Sequence, residues 1–310
     1  MVPNLEVLMA VHNGEPYLKT AIESILNQTY RNFSFLIVDD ASTDRTVDII
    51  KSYSDSRIKL IELPANVGQT AALNVGLRMA TASWIARMDA DDYSATNRLE
   101  EQMNIVSEDP AVCCVGTFAW IFREDPGIAE GIMTKPESDA EIKRTLLREP
   151  PMIHGSLVFN RETVLSMGGY NDWYRVSADI DLYDRLLTPS HRAKNIPKRL
   201  LGIRRHAGQE TQSLRAIDEG IEIFQKRLAR KIYSKAERET IRSMLSFFYL
   251  LRVRYQFRNR QFDLDIIRDA SLAFRTSPIS FLKVIPSGLV DIAGRLFNDS
   301  DKTLHHDSKN

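Results

Sequence analysis

The 310-residue chain is 43% hydrophobic and 26% charged, with 41 basic side chains against 41 acidic ones and a formal net charge of zero. That is the profile of a folded globular protein long enough to enclose a deep cleft, and the balance excludes the basic footprint of a nucleic-acid-binding protein. The two cysteines, Cys113 and Cys114, are adjacent within an apolar run, which excludes a disulfide framework or a thiolate metal site and makes them strand residues of a cytosolic protein.

Val7 to Val11 is an apolar run ending in His12, Asn13 and Gly14, and Pro16 opens a segment with Tyr17, Ala21, Ile22, Ile25 and Leu26 at helical spacing. The pattern recurs. Phe33 to Val38 reads as a strand stopped by Asp39 and Asp40, with Ser42 and Thr43 as candidate N-caps for a helix carrying Val47, Ile49 and Ile50. Ile58 to Leu63 reads as a strand, Thr70 to Ala80 as a helix, and Trp84 to Met88 as a strand running into Asp89, Ala90, Asp91 and Asp92. This alternation predicts a mostly parallel sheet with covering helices. Further strands are predicted at Val112 to Val115 and Leu157 to Phe159, within an acceptor-side half that extends to about residue 205.

Ligand crevices in such sheets lie at the C-terminal strand ends, where His12 and Asn13, Asp39 and Asp40, and Asp89 to Asp92 all fall. An acidic turn is ordinary by itself, and Asp39 and Asp40 alone read as helix caps. Three polar clusters at one edge mark a binding site. The first turn, Ala10 to Gly14, lacks the Gly-x-Gly-x-x-Gly dinucleotide fingerprint, and there is no P-loop lysine. Phosphates bound here would need a carboxylate-held divalent cation, Mg²⁺ or Mn²⁺.

Five blocks in order, Leu8 to Glu15, Ser24 to Tyr30, Ile37 to Asp44, Asn66 to Gly68 and Met88 to Asp92, closely resemble the family 2 glycosyltransferases. Met167 to Tyr170 and Ser177 to Leu182 extend the resemblance over about the first 210 residues. It implies a GT-A fold, that is, a Rossmann-like mostly parallel sheet with flanking helices, here with a C-terminal helical extension. It also implies an inverting, hexosyltransferase-like transfer from a nucleotide diphosphate sugar, a UDP-sugar, to a hydroxyl of a glycan or lipid-linked acceptor. The nucleotide-sugar-binding set is Ala10, His12, Asn13, Asp39, Asp40, Asp89 and Ala90, with Asp40 matching the position that bonds the base. Asp91 matches the metal-bound carboxylate, Asp89 its partner near the ribose and the metal's waters, and His206 a further metal or diphosphate ligand. Asp179 matches the general base. Ala178 stands where the family has Glu, which keeps a second reading open, a nucleotide-sugar-binding or scaffolding protein impaired in transfer.

His12 and His154 read as satisfied structural histidines lining the cleft, and Arg87 as a strand residue snorkelling to solvent, with a diphosphate contact as the alternative. From Gly220 the pattern is helical, with Ile241, Met244, Leu245, Phe248, Leu251 and Tyr255 on one face, and residues 216–310 carry net +5 against −5 for the first 215. This is a helix packed on the catalytic domain or a basic element resting on anionic lipid. Pro278 to Phe297 is interrupted by Lys283, Pro286, Asp291 and Arg295, too often to span a bilayer, though it could lie on one. Residues 1–215 are expected to form the catalytic domain (1–110 for the nucleotide sugar, 111–215 for the acceptor), 216–297 a helical extension and 298–310 a disordered tail. With no basic, apolar leader before Glu6, the expected location is cytoplasmic, including the inner membrane face.

Overall fold

The structure is a computed structural model that describes residues 4–206, 213–259 and 264–278. The chain divides into two compact units, Met1–Thr211 and Gln212–Asn310. In the first, strands β1 (Leu5–Val11), β2 (Phe33–Asp39), β3 (Ile58–Glu62) and β4 (Trp84–Arg87) alternate with helices α1 (Leu18–Leu26), α2 (Thr46–Lys51) and α3 (Gln69–Met79). There follow β5 (Tyr93–Ser94), α4 (Arg98–Glu108), β6 (Val112–Phe122), β7 (Gly131–Met133), α5 (Asp139–Leu146), β8 (Val158–Asn160), α6 (Arg161–Ser166), α7 (Ala178–Leu186) and β9 (Arg192–Arg204). The sheet order is β3-β2-β1-β4-β8-β6-β9-β5, with β7 on β6.

β3, β2, β1 and β4 are mutually parallel, whereas β8 runs antiparallel between β4 and β6. Every residue of β1 and β2 is buried, as expected of central parallel strands covered on both faces. Leu5, Val7, Met9 and Val11 join Ala21, Ile22 and Ile25 of α1 in the main core. On the other face α3 approaches so closely that a Cβ on Gly76 would lie 2.3 Å from Leu8 Cδ1. Glu6, buried within β1, accepts from Ser34 Oγ (2.8 Å) and the Thr81 amide (2.9 Å), so the buried carboxylate is satisfied.

Two local expectations change. Ser42 and Thr43 do not cap α2: the Ser42 hydroxyl accepts from the Asn13 amide (2.9 Å), and the Thr43 amide donates to Asn13 Oδ1 (2.8 Å). β6 runs on to Phe122, past the polar break at Gly116 and Thr117, because a bulged register with β9 absorbs the irregularity.

The second unit holds α8 (Leu214–Ala229), α9 (Lys235–Arg258) and α10 (Leu264–Thr276). Ser246 Oγ donates to the Ala273 carbonyl (2.9 Å), and Arg252 reaches Asp269 (2.6 Å) and Asp218 (2.9 Å), which ties the three helices together. The buried row of α9 is Ile241, Leu245, Tyr249 and Val253; Met244, Phe248, Leu251 and Tyr255 flank it, half-buried. Among the described residues no helix is long and apolar enough to cross a membrane. Nearly all of Pro278 to Phe297 and the whole of 298–310 lie outside them.

Candidate active site

The β1 end carries the first cluster. His12 donates through Nδ1 to the Asp40 carbonyl (2.8 Å) and accepts from Asn13 through Nε2 (3.2 Å), locking two strand ends together. Asn13 has φ +52°, a conformation that asparagine tolerates better than most residues. Gly14 then brings this turn beside the acidic turn, since a Cβ there would lie 3.9 Å from Ala90 Cβ. Ala10 is buried in β1 beside Val38 and shapes the floor.

Both carboxylates at the β2 end are 2% exposed. Asp40 accepts the Val67 amide on Oδ1 (2.7 Å) and the Gly68 amide on Oδ2 (2.8 Å), which clamps the loop before α3. Asp39 accepts the Ser42 amide on Oδ2 (3.1 Å), while its Oδ1 is buried with no hydrogen-bond partner. A buried carboxylate oxygen without a donor is costly, so Asp39 Oδ1 is an unsatisfied acceptor at the β2 end.

Beyond β4 the acidic turn rests on two buried arginines. Arg87 is 1% exposed and its Nη1 lies 2.6 Å from Asp89 Oδ1; it points inward rather than snorkelling, because Asp89 supplies the countercharge that makes burial tolerable. Burial acts most strongly and raises the Asp89 carboxyl, but the Arg87 charge and hydrogen bond, with His154 and the Gln69 hydrogen bond, together outweigh it and leave the group below its usual range. Arg98, fully buried at the start of α4, donates to the carbonyls of Arg87 (3.1 Å) and Gly155 (2.9 Å), and burial pulls it down to about 10. Burial, with Asp89 and Asp91 as like charges, pushes Asp92 well above the usual carboxylate range; its Oδ1 accepts the Arg204 amide (3.0 Å). Burial and Asp89 likewise raise Asp91, offset in part by His206.

Asp91 and Asp89 are part-exposed, at 31% and 26%, and Asp91 Oδ2 lies 2.9 Å from His206 Nε2. The imidazole stacks on Tyr17, with ring centroids 4.8 Å apart. Arg204 lies between Tyr17 and Phe122 and donates through Nε to the Asp91 carbonyl (3.0 Å), fixing the turn from β9. The 2.9 Å between Asp91 Oδ2 and His206 Nε2 is a hydrogen-bond distance; cis ligands on an octahedral Mg²⁺ or Mn²⁺ also sit about 3 Å apart, so this carboxylate and imidazole have the donor types and separation that such a cation takes. Among the described residues no three His, Cys, Asp or Glu side chains form a ready-made cage; the pair suits an open site completed by substrate and water oxygens.

Asp179 is the second residue of α7, half-buried, with Oδ1 accepting the Ile180 amide (2.8 Å). Burial pushes it up to about 6, against the pull of that amide, Arg87 and Lys135. Its mounting is rigid. Asp181 pairs with Arg185 (2.7 Å), whose Nη1 donates to the Gly169 carbonyl (2.8 Å). His154, held at about 3 by burial and Arg87, bonds Tyr170 (2.8 Å); it is a structural histidine at the rear of the site.

Sequence reasoning left out Gln69, which donates to Asp89 (3.3 Å), as well as Arg98, Lys135 and Tyr17. For Arg98 the available signal was a second arginine close to the acidic turn, beside Arg87; Gln69, Lys135 and Tyr17 carry no such signal.

Residues 6–167 match the model of the family described as Glycosyl transferase family 2. A Bacillus subtilis relative named "Putative glycosyltransferase EpsE" is 34% identical over 232 residues, covering 72% of this chain and 81% of that protein. An Escherichia coli relative named "UDP-Glc:alpha-D-GlcNAc-diphosphoundecaprenol beta-1,3-glucosyltransferase WfaP" is 31% identical over 139 residues, 42% of this chain and 55% of its own. The crystal structure of S. aureus TarS 1-349 in complex with UDP-GlcNAc superposes with a TM-score of 0.67 at 15% identity, over 91% of this chain and 83% of that one. That likeness is one of fold, the GT-A type.

Proposed function

The chain belongs to glycosyl transferase family 2 and is a glycosyltransferase; from that premise we propose that it moves a sugar, with inversion, from a UDP-sugar to a hydroxyl of a glycan or lipid-linked acceptor. The observation that carries this reading is the Asp91–His206 couple at the acidic turn together with the half-buried Asp179, whose carboxyl is raised to about 6 and is acted on by Arg87, the same arginine that holds Asp89. The E. coli relative's name and the UDP-GlcNAc complex of the fold relative support a uridine donor and a diphospholipid acceptor.

In this mechanism Asp39 Oδ1 accepts from the base, and Asp40 keeps the Val67–Gly68 loop closed over it. Ala10, His12, Asn13 and Ala90 would shape the pocket, and Asp89, steadied by Arg87 and Gln69, would serve the ribose and support the metal site. Asp91 and His206 would hold Mn²⁺ or Mg²⁺, which when bound neutralises charge developing on the departing diphosphate. Asp179 accepts the acceptor hydroxyl's proton as the oxygen attacks the anomeric carbon from the opposite side. With a pKa near 6 it is ionised at neutral pH yet a stronger base than an ordinary aspartate.

The helical unit is assigned to an anionic membrane surface. Ile267 (60% exposed) and Phe274 (49%) lie seven residues apart on α10, beside the exposed Arg268 and Arg275. This would keep the enzyme at the cytoplasmic face, beside a lipid-linked acceptor.

Thermal shift across a panel of nucleotide sugars with Mn²⁺, followed by nucleotide diphosphate release, tests the assignment. Stabilisation by one donor with turnover is the expected result. Tight UDP binding without turnover on a broad acceptor panel would instead favour the binding or scaffolding role that Ala178 raises.

A further inference from the structure

Arg98 is the first residue of α4 and is fully buried, a position that local physics disfavours. A cation is unfavourable at a helix N-terminus and again away from water, and its Nε has no hydrogen-bond partner. Burial works hardest against its charge, Asp92 favours it, Arg87 opposes it and Asp89 favours it. Its N–H groups go to backbone and sulfur rather than to a carboxylate: Nη1 donates to the carbonyls of Arg87 (3.1 Å) and Gly155 (2.9 Å), and Nη2 to Met88 Sδ (3.9 Å).

Both carbonyls border the acidic turn. Arg87 leads into it from β4, and Gly155 packs against its carboxylates, where an added Cβ would lie 2.8 Å from Asp89 Oδ2 and 3.3 Å from Asp92 Oδ2. Arg98 therefore ties the strand that launches the turn to the segment the turn rests on. Three neighbouring carboxylates repel one another and, without a countercharge, drive the turn open. With Arg87 on Asp89 (2.6 Å), two buried guanidiniums oppose that drive from inside the protein. A residue that breaks local rules this completely is accounted for by the turn it serves.

We propose that Arg98 is a positioning residue that keeps the acidic turn in its cation-ready shape while no cation is bound, by clamping the Arg87 and Gly155 carbonyls and countering the charge of Asp89 and Asp92. The proposal rests on the reading of Asp91 and His206 as a cation site. Holding the turn from inside leaves that pair open to exchange a divalent cation without local refolding.

The test is hydrogen exchange, read by mass spectrometry on the full-length protein in EDTA and in Mn²⁺. The Met88 amide donates to the Leu8 carbonyl (3.1 Å), the Ser94 amide to Ser24 Oγ (3.0 Å) and the Ala95 amide to the Leu200 carbonyl (3.0 Å). A peptide over residues 88–97 thus reports whether the turn is in place, and one over residues 5–11, in β1, reports global stability. In the native protein Mn²⁺ is expected to change exchange of the 88–97 peptide by less than about twofold, because the turn is already formed. In EDTA, Arg98→Met is expected to speed that peptide at least about tenfold more than the β1 peptide. Arg98→Lys keeps the charge but not a fork that spans both carbonyls, so it should fall between. Gln102→Leu, on the same helix, removes bonds to the Val115 and Ser156 carbonyls (2.8 and 2.7 Å) and should affect both peptides alike. Equal acceleration of the two peptides in Arg98→Met, no acceleration, or a tenfold slowing of the native 88–97 peptide by Mn²⁺ overturns the proposal. Should Arg98→Met not fold, Arg98→Lys is judged by the same comparison. Mn²⁺ binding to the native protein, followed by electron paramagnetic resonance, tests the cation reading separately. Absence of binding with selective acceleration in EDTA would refute that reading alone, whereas binding without selective acceleration would refute this one alone.

Discussion

Replacing Asp179 with Asn should make the protein more stable at neutral pH while it loses activity. The carboxyl stands at about 6 instead of 3.8 because burial disfavours its charge. A shift of about two units corresponds to roughly 3 kcal/mol, and solvent screening at this half-buried position reduces it to about 1–2 kcal/mol. The sign follows from proton uptake. An acid whose folded pKa is raised binds its proton more tightly when folded, so ionised Asp179 costs nothing below about pH 4, and its full cost is present above about pH 6. Asn removes the charge and keeps an oxygen for the Ile180 amide. At pH 8 the melting temperature of Asp179→Asn should exceed that of the native protein by about 2–6 °C, and the difference should shrink below about pH 6 and close by about pH 3.5. The kcat/KM should fall by about 10²–10⁴. In the native enzyme kcat/KM should decline with unit slope below about pH 6. Equal melting temperatures at pH 8, or transfer that survives in the variant, would refute the assignment of a desolvated base.

Asp91→Ala should abolish stabilisation by Mn²⁺ in thermal shift and lower donor turnover at least about 100-fold, while His206→Ala should raise the Mn²⁺ concentration needed for half-activity about tenfold, as for loss of one coordinating partner. Gly155→Ala would place a Cβ 2.8 Å from Asp89 Oδ2 and 3.3 Å from Asp92 Oδ2; it should weaken Mn²⁺ binding and activity while circular dichroism stays native. Asp40→Ala frees the Val67 and Gly68 amides and should raise donor KM more than it lowers kcat, as read from initial rates. Sedimentation with anionic vesicles should pull down the full chain, and Phe274→Ser with Arg268→Glu and Arg275→Glu should reduce it; equal sedimentation removes the membrane assignment.

The parallel half of the sheet was legible because each of its strands is a short apolar run closed by polar residues, and the same punctuation exposed the three clusters at the strand ends. β9 was hidden. Its Arg192–Arg204 segment is rich in basic residues, and the strand declares itself only through long-range pairing with β6. Asp91 could be singled out from its neighbours in sequence, but not the reason: Asp89 is tied to Arg87 and Asp92 to the Arg204 amide, which leaves Asp91 facing His206 across 115 positions. Arg87 read as a surface cation because a sequence shows a charge and not its partner. Asp40 matches the base-binding position; the structure adds that its oxygens accept the Val67 and Gly68 amides and that an oxygen of Asp39 has no partner, neither of which the sequence shows.

The most direct test of the central claim is the configuration of the first sugar released when the Mn²⁺-loaded enzyme hydrolyses its α-linked UDP-sugar, followed by proton NMR before mutarotation. Leaving-group stabilisation at Asp91 and His206 with a single base at Asp179 requires one displacement, so the β-anomer should appear first, and Asp179→Asn should suppress it. Release of the α-anomer first would contradict the mechanism.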